Sequence, residues 1–191
     1  KLLHAQVNPH FLFNALNTLQ AVIRNDRQRA GVLVQYLSTF FRKNLKRSSE
    51  VATLGDELEH VNAYLQIEQA RFQSRLKVNL RVPEALCHHR LPAFTLQPLV
   101  ENAIKHGTSQ LPGTGEVIIT ACQSAEYLEI SVQDNAGLFV PPTGKSQGMG
   151  MGLVDRRLRA RFGNGCGLCV DYDTDNYTRV IIRLPPEVQE I

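Results

Sequence analysis

The hydrophobic period of this chain changes once, near Leu76, and that switch limits the folds open to it. Before it, apolar residues recur at helical spacing. Leu12, Leu16, Leu19 and Ile23 fall at i, i+4, i+7 and i+11, one stripe along a helix over 1–25. Pro9 has no amide donor and its ring clashes with the carbonyl of Ala5, so a kink is expected just before His10. Leu33, Tyr36, Leu37, Phe40, Phe41 and Leu45 carry a second helix over 27–47, broken by Ser48-Ser49. Thr53-Leu54-Gly55-Asp56 reads as a capping box with aspartate in the glutamate position. Leu58, Val61, Leu65 and Phe72 then extend a third helix to about Ser74.

After the switch, 77–82 alternates and stops at Pro83, as a strand does. Residues 94–107 and 152–162 read as helices. Residues 117–124 and 127–134 read as strands around an Ala125-Glu126 turn, and 168–173 with 178–184 as a closing hairpin. A loop rich in Gly and Pro fills 135–150. The pattern predicts an α+β fold without regular βαβ alternation: an antiparallel helical region over 1–75, then a mixed unit over 76–191. A length of 191 residues allows one large or two small domains. Broad apolar faces on so few helices point to burial against a second copy, hence a homodimer.

Three segments carry chemistry. Asn8-Pro9-His10-Phe11-Leu12-Phe13-Asn14 sets a histidine in an otherwise apolar helical stretch. A lone helical histidine is more often a packing or surface residue. Here Asn14 at i+4 and Asn17 at i+7 run a polar strip beside the apolar stripe. An imidazole with a pKa near ~6.5 is largely neutral near pH 7, and neutral imidazole can attack phosphorus. Asn14, one turn on, could orient a water or the ring.

The second segment is Gln97-Pro98-Leu99-Val100-Glu101-Asn102-Ala103-Ile104-Lys105-His106-Gly107. On a helix, Asn102, Lys105 and His106 stand at i, i+3 and i+4 and share a face. An amide oxygen suits six-coordinate Mg²⁺, and a lysine and a histidine suit phosphate oxygens. A plain amphipathic helix with Leu96, Leu99, Val100 and Ala103 inward accounts for the same residues, and the two readings are compatible. The third segment, Gly148-Met149-Gly150-Met151-Gly152-Leu153, precedes a helix. Its glycines let backbone amides approach phosphates at the helix N-terminus.

In this order the segments resemble the catalytic half of sensor histidine kinases of the LytS type. L-V-E-N-A-x-K-H-G is similar to the asparagine box of the Bergerat ATP-binding fold, shared with type II topoisomerases. The resemblance implies a helical dimerisation and phosphoacceptor region over 1–75, and an α/β-sandwich ATP-binding domain over 76–191. It implies phosphoryl transfer from ATP and Mg²⁺ to His10, then to an aspartate on a response regulator with a DNA-binding output domain. It gives Asn102 to the metal, and Lys105, His106, Gly137, Gly148, Gly150 and Gly152 to the nucleotide. Asp134 would accept from the adenine amine, and Thr178 would end the pocket. Asp134-Asn135-Ala136-Gly137 stands where the family has D-x-G-x-G, with Ala136 and Leu138 at the glycine positions and Gly137 out of step. Tyr177 replaces the usual glycine before Thr178. Arg156-Arg157-Leu158, Arg161-Phe162-Gly163 and Glu68-x-x-Arg71-Phe72 also match, although an i,i+3 ion pair explains the last. Phe11 follows the histidine, as in LytS-type kinases, where the commonest histidine kinases carry an acid. The general base is thus unassigned. Two further readings stay open: a Bergerat-fold ATPase that does not phosphorylate itself, and a nucleotide-binding interaction module without kinase activity.

Other signals point to little. Cys166-Gly167-Leu168-Cys169 has metal-ligand spacing, but Cys87 and Cys122 lie on separate segments, so ordinary reduced cysteines are expected. Gly144-Lys145-Ser146 lacks the glycine five positions earlier, where Phe139 stands, so it is not a P-loop. A net charge of +3 does not argue for nucleic acid. The basic run Arg42-Lys43 and Lys46-Arg47 lacks interleaved aromatics and reads as a solvated helix face, so no direct nucleic-acid binding is expected. No stretch of eighteen apolar residues occurs and no signal-peptide pattern is present. The start at Lys1-Leu2-Leu3, already in a helical pattern, reads as a piece of a longer protein. This piece is expected in the cytoplasm, and its parent in the bacterial inner membrane.

Overall fold

The computed structural model describes residues 9–46, 51–141 and 149–186. The expected kink before His10 depends on residues 1–8, which lie outside them, as do Ser48 and Ser49. Helices α1 (Pro9–Asn25) and α2 (Arg27–Lys46) form an antiparallel hairpin. Asp26 turns it, its carboxylate accepting the Arg29 amide at 2.9 Å as an N-cap. The hairpin closes through Phe11 on Phe40, ring centroids 4.9 Å apart.

The buried side of α1 differs from the predicted stripe. Phe11 and Ala15 are buried, whereas Leu16 and Ile23 are both 48% exposed and Phe13 is 67% exposed. The helix is apolar on two sides, and one chain covers only one of them. Periodicity finds both faces and cannot rank them. On α2, Ala30, Leu33, Leu37 and Phe40 are buried, as a single helical face requires.

Helix α3 (Leu54–Phe72) follows a short strand, β1 (Val51–Thr53). The predicted capping box is present: the Asp56 amide donates to Thr53 Oγ1 at 3.1 Å, and the Thr53 amide donates to Asp56 Oδ2 at 3.2 Å. The helix stops at Phe72, two residues earlier than predicted, where Gln73 takes φ 55° and a 3-10 turn follows. α3 is buried on two sides because α2 lies against one and the sheet unit against the other. Val61, Leu65 and Tyr64 serve those contacts, and burying Val61 or Leu65 stabilises by about 1.5–3 kcal/mol.

The main sheet has five strands: β2 (Leu76–Arg81), β4 (Gly115–Gln123), β5 (Leu128–Asp134), β6 (Gly167–Asp173) and β7 (Tyr177–Leu184), in the order β2-β4-β5-β7-β6. β2 pairs parallel with β4 and the other pairs are antiparallel. Alternate residues of β4, β5 and β7, among them Ile119, Ile130 and Ile182, face the core. Over that face lie α4 (Gln97–Asn102) and α5 (Met149–Phe162), giving an α/β sandwich. A strand not predicted, β3 (Arg90–Pro92), pairs antiparallel with β1. The helix expected over 94–107 begins at Gln97. Its second half, Ala103–Gly107, is a π turn, followed by a 3-10 turn over Thr108–Gln110. α5 starts three residues before the predicted position.

Candidate functional site

Asp134 ends β5 and is only 5% exposed. Its Oδ1 accepts the Ala136 amide at 2.9 Å. Burial pushes the carboxyl upward, and the backbone amides of Ala136 and Gly137 pull it back. Thr178, buried on β7, is its cross-strand partner. Gly107 presses on it from the helix side: a Cβ there would sit 2.7–2.9 Å from the carboxyl atoms. Gly137 has φ 60°, and its carbonyl accepts the Asp175 amide at 3.1 Å. A side chain at 137 would collide with the backbone of Asp173, Asp175 and Asn176. The glycine one step off the family spacing therefore stands where the chain passes the β6–β7 turn.

The run from α4 through the π turn ends at Gly107, against Asp134. On it Asn102 is half-buried, Lys105 and His106 are exposed, and Ala103, Ile104 and Gly107 are buried. The three expected polar residues therefore share the outer side, although an i→i+5 turn has replaced the α-helical spacing. Ser109 Oγ and Gln110 Nε2 donate to the Lys105 carbonyl at 2.9 and 3.0 Å. The start of the run is fixed by Glu57 of α3, fully buried, whose carboxylate accepts the amides of Phe94, Thr95 and Leu96 at 3.0, 2.9 and 2.9 Å. Arg157 of α5 donates to Thr95 Oγ1 at 3.1 Å. Its burial lowers the guanidinium pKa, and the nearby Glu57 charge raises it.

Gly150 and Gly152 lie in the first turn of α5 rather than in the loop before it. That turn holds amides with no partner inside the helix. A Cβ at Gly150 would lie 3.7 Å from Pro98, so the starts of α5 and α4 are neighbours. Gly148 lies outside the described residues.

His10 is exposed in the first turn of α1. The Asn14 amide nitrogen lies 3.3 and 3.4 Å from its two ring nitrogens, so the i+4 pair predicted from sequence is in contact. The expected residues thus fall into two groups. Asp134, Gly137 and Thr178 converge, with Asn102, Lys105 and His106 on the adjoining run and Gly150 and Gly152 at the next helix start. His10 and Asn14 sit on the separate hairpin. Sequence reasoning missed Gly107 as a site residue, although it closes the quoted motif. It also missed Glu57, a buried anchor that reads in sequence as an ordinary helical glutamate.

A family model described as histidine kinase matches residues 1–76. The chain is 65% identical over 185 residues to the sensor histidine kinase BtsS of Escherichia coli (strain K12), covering 97% of this chain and 33% of that protein. It is 36% identical over 198 residues to the sensor protein LytS of Bacillus subtilis (strain 168), again covering 97% and 33%. Among solved structures, histidine kinase ThkA in complex with the response regulator protein TrrA has a TM-score of 0.52 at 16% identity, over 96% of this chain and 61% of that one. That likeness concerns the fold. The chain spans about a third of the length of the curated relatives it matches. Along nearly all of its length this chain is similar to sensor kinases such as BtsS and LytS, and its first 76 residues match the histidine kinase model.

Proposed function

We propose that this chain is the catalytic part of a two-component sensor kinase: it phosphorylates itself on His10 from Mg²⁺ and ATP and passes the phosphoryl group to an aspartate of a response regulator. The observation that carries this reading is the convergence of Asp134, Gly107 and Thr178 at the end of the helical run bearing Asn102, Lys105 and His106. A carboxylate has about four acceptor positions. With the Ala136 and Gly137 amides served, Asp134 can still accept from the adenine amine. Lys105 and His106 meet phosphate oxygens, together with the first amides of α5 around Gly150 and Gly152; the resemblance gives Gly148 the same role. Thr178 closes the pocket behind Asp134.

Among the described residues no group of three or more His, Cys, Asp or Glu could hold a metal ion. Mg²⁺ usually keeps several waters and is held by few protein groups together with substrate phosphates. Asn102 would be its protein ligand. Held at Asn102, Mg²⁺ would supply charge neutralisation for the phosphate oxygens. The His10 nitrogen bonds to the γ-phosphorus as the bond to the bridging oxygen breaks and ADP leaves. Asn14, in contact with His10, places a water for later removal of phosphate from the regulator.

Sensor kinases pair with response regulators, as ThkA does with TrrA. Here the regulator would carry a DNA-binding output domain. Residues 1–75 act as phosphoacceptor and dimerisation region and 76–191 as ATP-binding domain, with α3 packed against both. No described helix is long and apolar enough to cross a membrane. This part works in the cytoplasm, and a membrane-anchored sensor would lie in the rest of the longer parent. Incubation with γ-labelled ATP should give an acid-labile label that His10→Gln abolishes while ADP affinity stays unchanged. Undiminished label on that variant overturns the assignment. ATP hydrolysis without label would indicate the ATPase reading, and nucleotide binding alone the interaction module.

A further inference from the structure

A line of contacts runs from the residue beside His10 to the residue beside Asn102. Phe11 of α1 packs on Phe40 of α2, centroids 4.9 Å apart, and on Tyr64 of α3 at 5.0 Å. Phe40 stacks flat on the imidazole of His60, at 4.9 Å and 8°. His60 is fully buried in α3, and its Nε2 lies 2.7 Å from Gln97 Oε1 at the start of α4. Gln97 Nε2 in turn donates to Glu101 Oε1 at 2.7 Å. Asn102 is the next residue.

The amide of Gln97 is used at both ends, which fixes its orientation. A carboxylate only accepts, so the Gln97 nitrogen faces Glu101 and its oxygen faces His60, and the His60 Nε2 carries the proton. We propose that His60, Gln97 and Glu101 are positioning residues for phosphoryl transfer: a hydrogen-bonded bar that fixes the Asn102 turn against α3, the helix on which the hairpin carrying His10 is stacked. The inference rests on the kinase reading of the site. Apolar contacts between α3 and α4 tolerate small slides, because dispersion is not directional. Two short, partly buried hydrogen bonds do not. A misplacement of about 1 Å far from the reacting atoms can lower a rate by about 10²-fold. The bar ends one residue from the metal-side group, and its aromatic extension ends one residue from the acceptor.

A buried histidine that serves stability alone would change melting and nucleotide affinity. A positioning residue changes the rate at saturating nucleotide. The test uses the whole chain. His60→Phe keeps the stack on Phe40 and removes the bond to Gln97. Gln97→Met keeps length and removes both bonds. Each should leave ADP affinity within about 3-fold by calorimetry and slow His10 labelling at saturating ATP by about 10- to 100-fold. The double variant should be no slower than the slower single one, because both cut the same bar. Glu101→Gln, which can still accept from Gln97, should stay within a few-fold of the parent, whereas Glu101→Leu should be slow. Labelling of His60→Phe and Gln97→Met at the parental rate overturns the inference and leaves the kinase reading intact. So do a deficit cured by more ATP and losses that multiply in the double variant. If His60→Phe fails to fold, Gln97→Met against Glu101→Gln decides. Absence of label on the parent sinks the kinase reading and this inference with it.

Discussion

At residue 107 a methyl group would claim the space that the Asp134 carboxyl fills. Gly107→Ala should therefore push that carboxyl off its amides and weaken ADP binding by about 10-fold or more. Asp134→Asn should do the same by another route, since an amide donor would face the adenine amine and leave it unpaired, at about 1–3 kcal/mol. Calorimetric titration with ADP checks both, and parental affinity in Asp134→Asn would count against the pocket. Glu68 titrates far from its ordinary range. Burial pushes its carboxyl from 4.5 up to about 7, the Arg71 charge holds it down in part, and Glu101 adds to the rise. The folded chain therefore binds this proton more tightly than the unfolded chain. Stability contributed by the protonated form falls as pH rises between about 4.5 and 7, and the penalty is complete above that. Glu68→Gln should raise the melting temperature at pH 8 and flatten its slope between pH 5 and 7. The gain is at most about 3 kcal/mol, reduced because Arg71 loses its 2.9 Å partner.

At the scale of elements, Gly137 ties the end of β5 to the β6–β7 turn. Gly137→Ala forces a side chain into a positive-φ position and against backbone, so unfolding in urea should show a loss of roughly 2 kcal/mol or more. The resemblance gave this glycine to the nucleotide; its structural task was hidden in the sequence, where it fell off the family spacing. What makes it necessary is a turn 36–39 residues further on, and local pattern does not carry such a contact. The π turn at Ala103–Gly107 was hidden for a related reason: Leu99, Val100, Ala103 and Ile104 fit an α-helical stripe equally well. β1 and β3 escaped because each has three residues and the partners are far apart in sequence. By contrast, the capping box, the long strands of the sheet and the His10–Asn14 pair were legible, since each depends on residues within one turn or on strict alternation. Asp134 and Thr178 were named separately in the sequence, and only the β5–β7 register joins them.

The exposed side of α1 belongs to the whole molecule. Phe13, Leu16 and Ile23 face outward on a helix whose other side is already packed. A second copy of the hairpin would cover them and complete a four-helix core. Leu16→Glu with Ile23→Glu should turn a dimer into a monomer in sedimentation velocity while leaving the helical content of the chain intact. A parent that sediments as a monomer at tens of micromolar would remove the dimer from the proposal. The three amides of Phe94, Thr95 and Leu96 have a different consequence for how the molecule behaves over time. All three end on one buried carboxylate, that of Glu57, reached from another helix. No local fraying of α4 can free them, because the acceptor does not move with the donors. Their protons should exchange with deuterated solvent only when α3 and α4 separate, among the slowest in the chain, so the anchored entry to α4 is a clock for global opening.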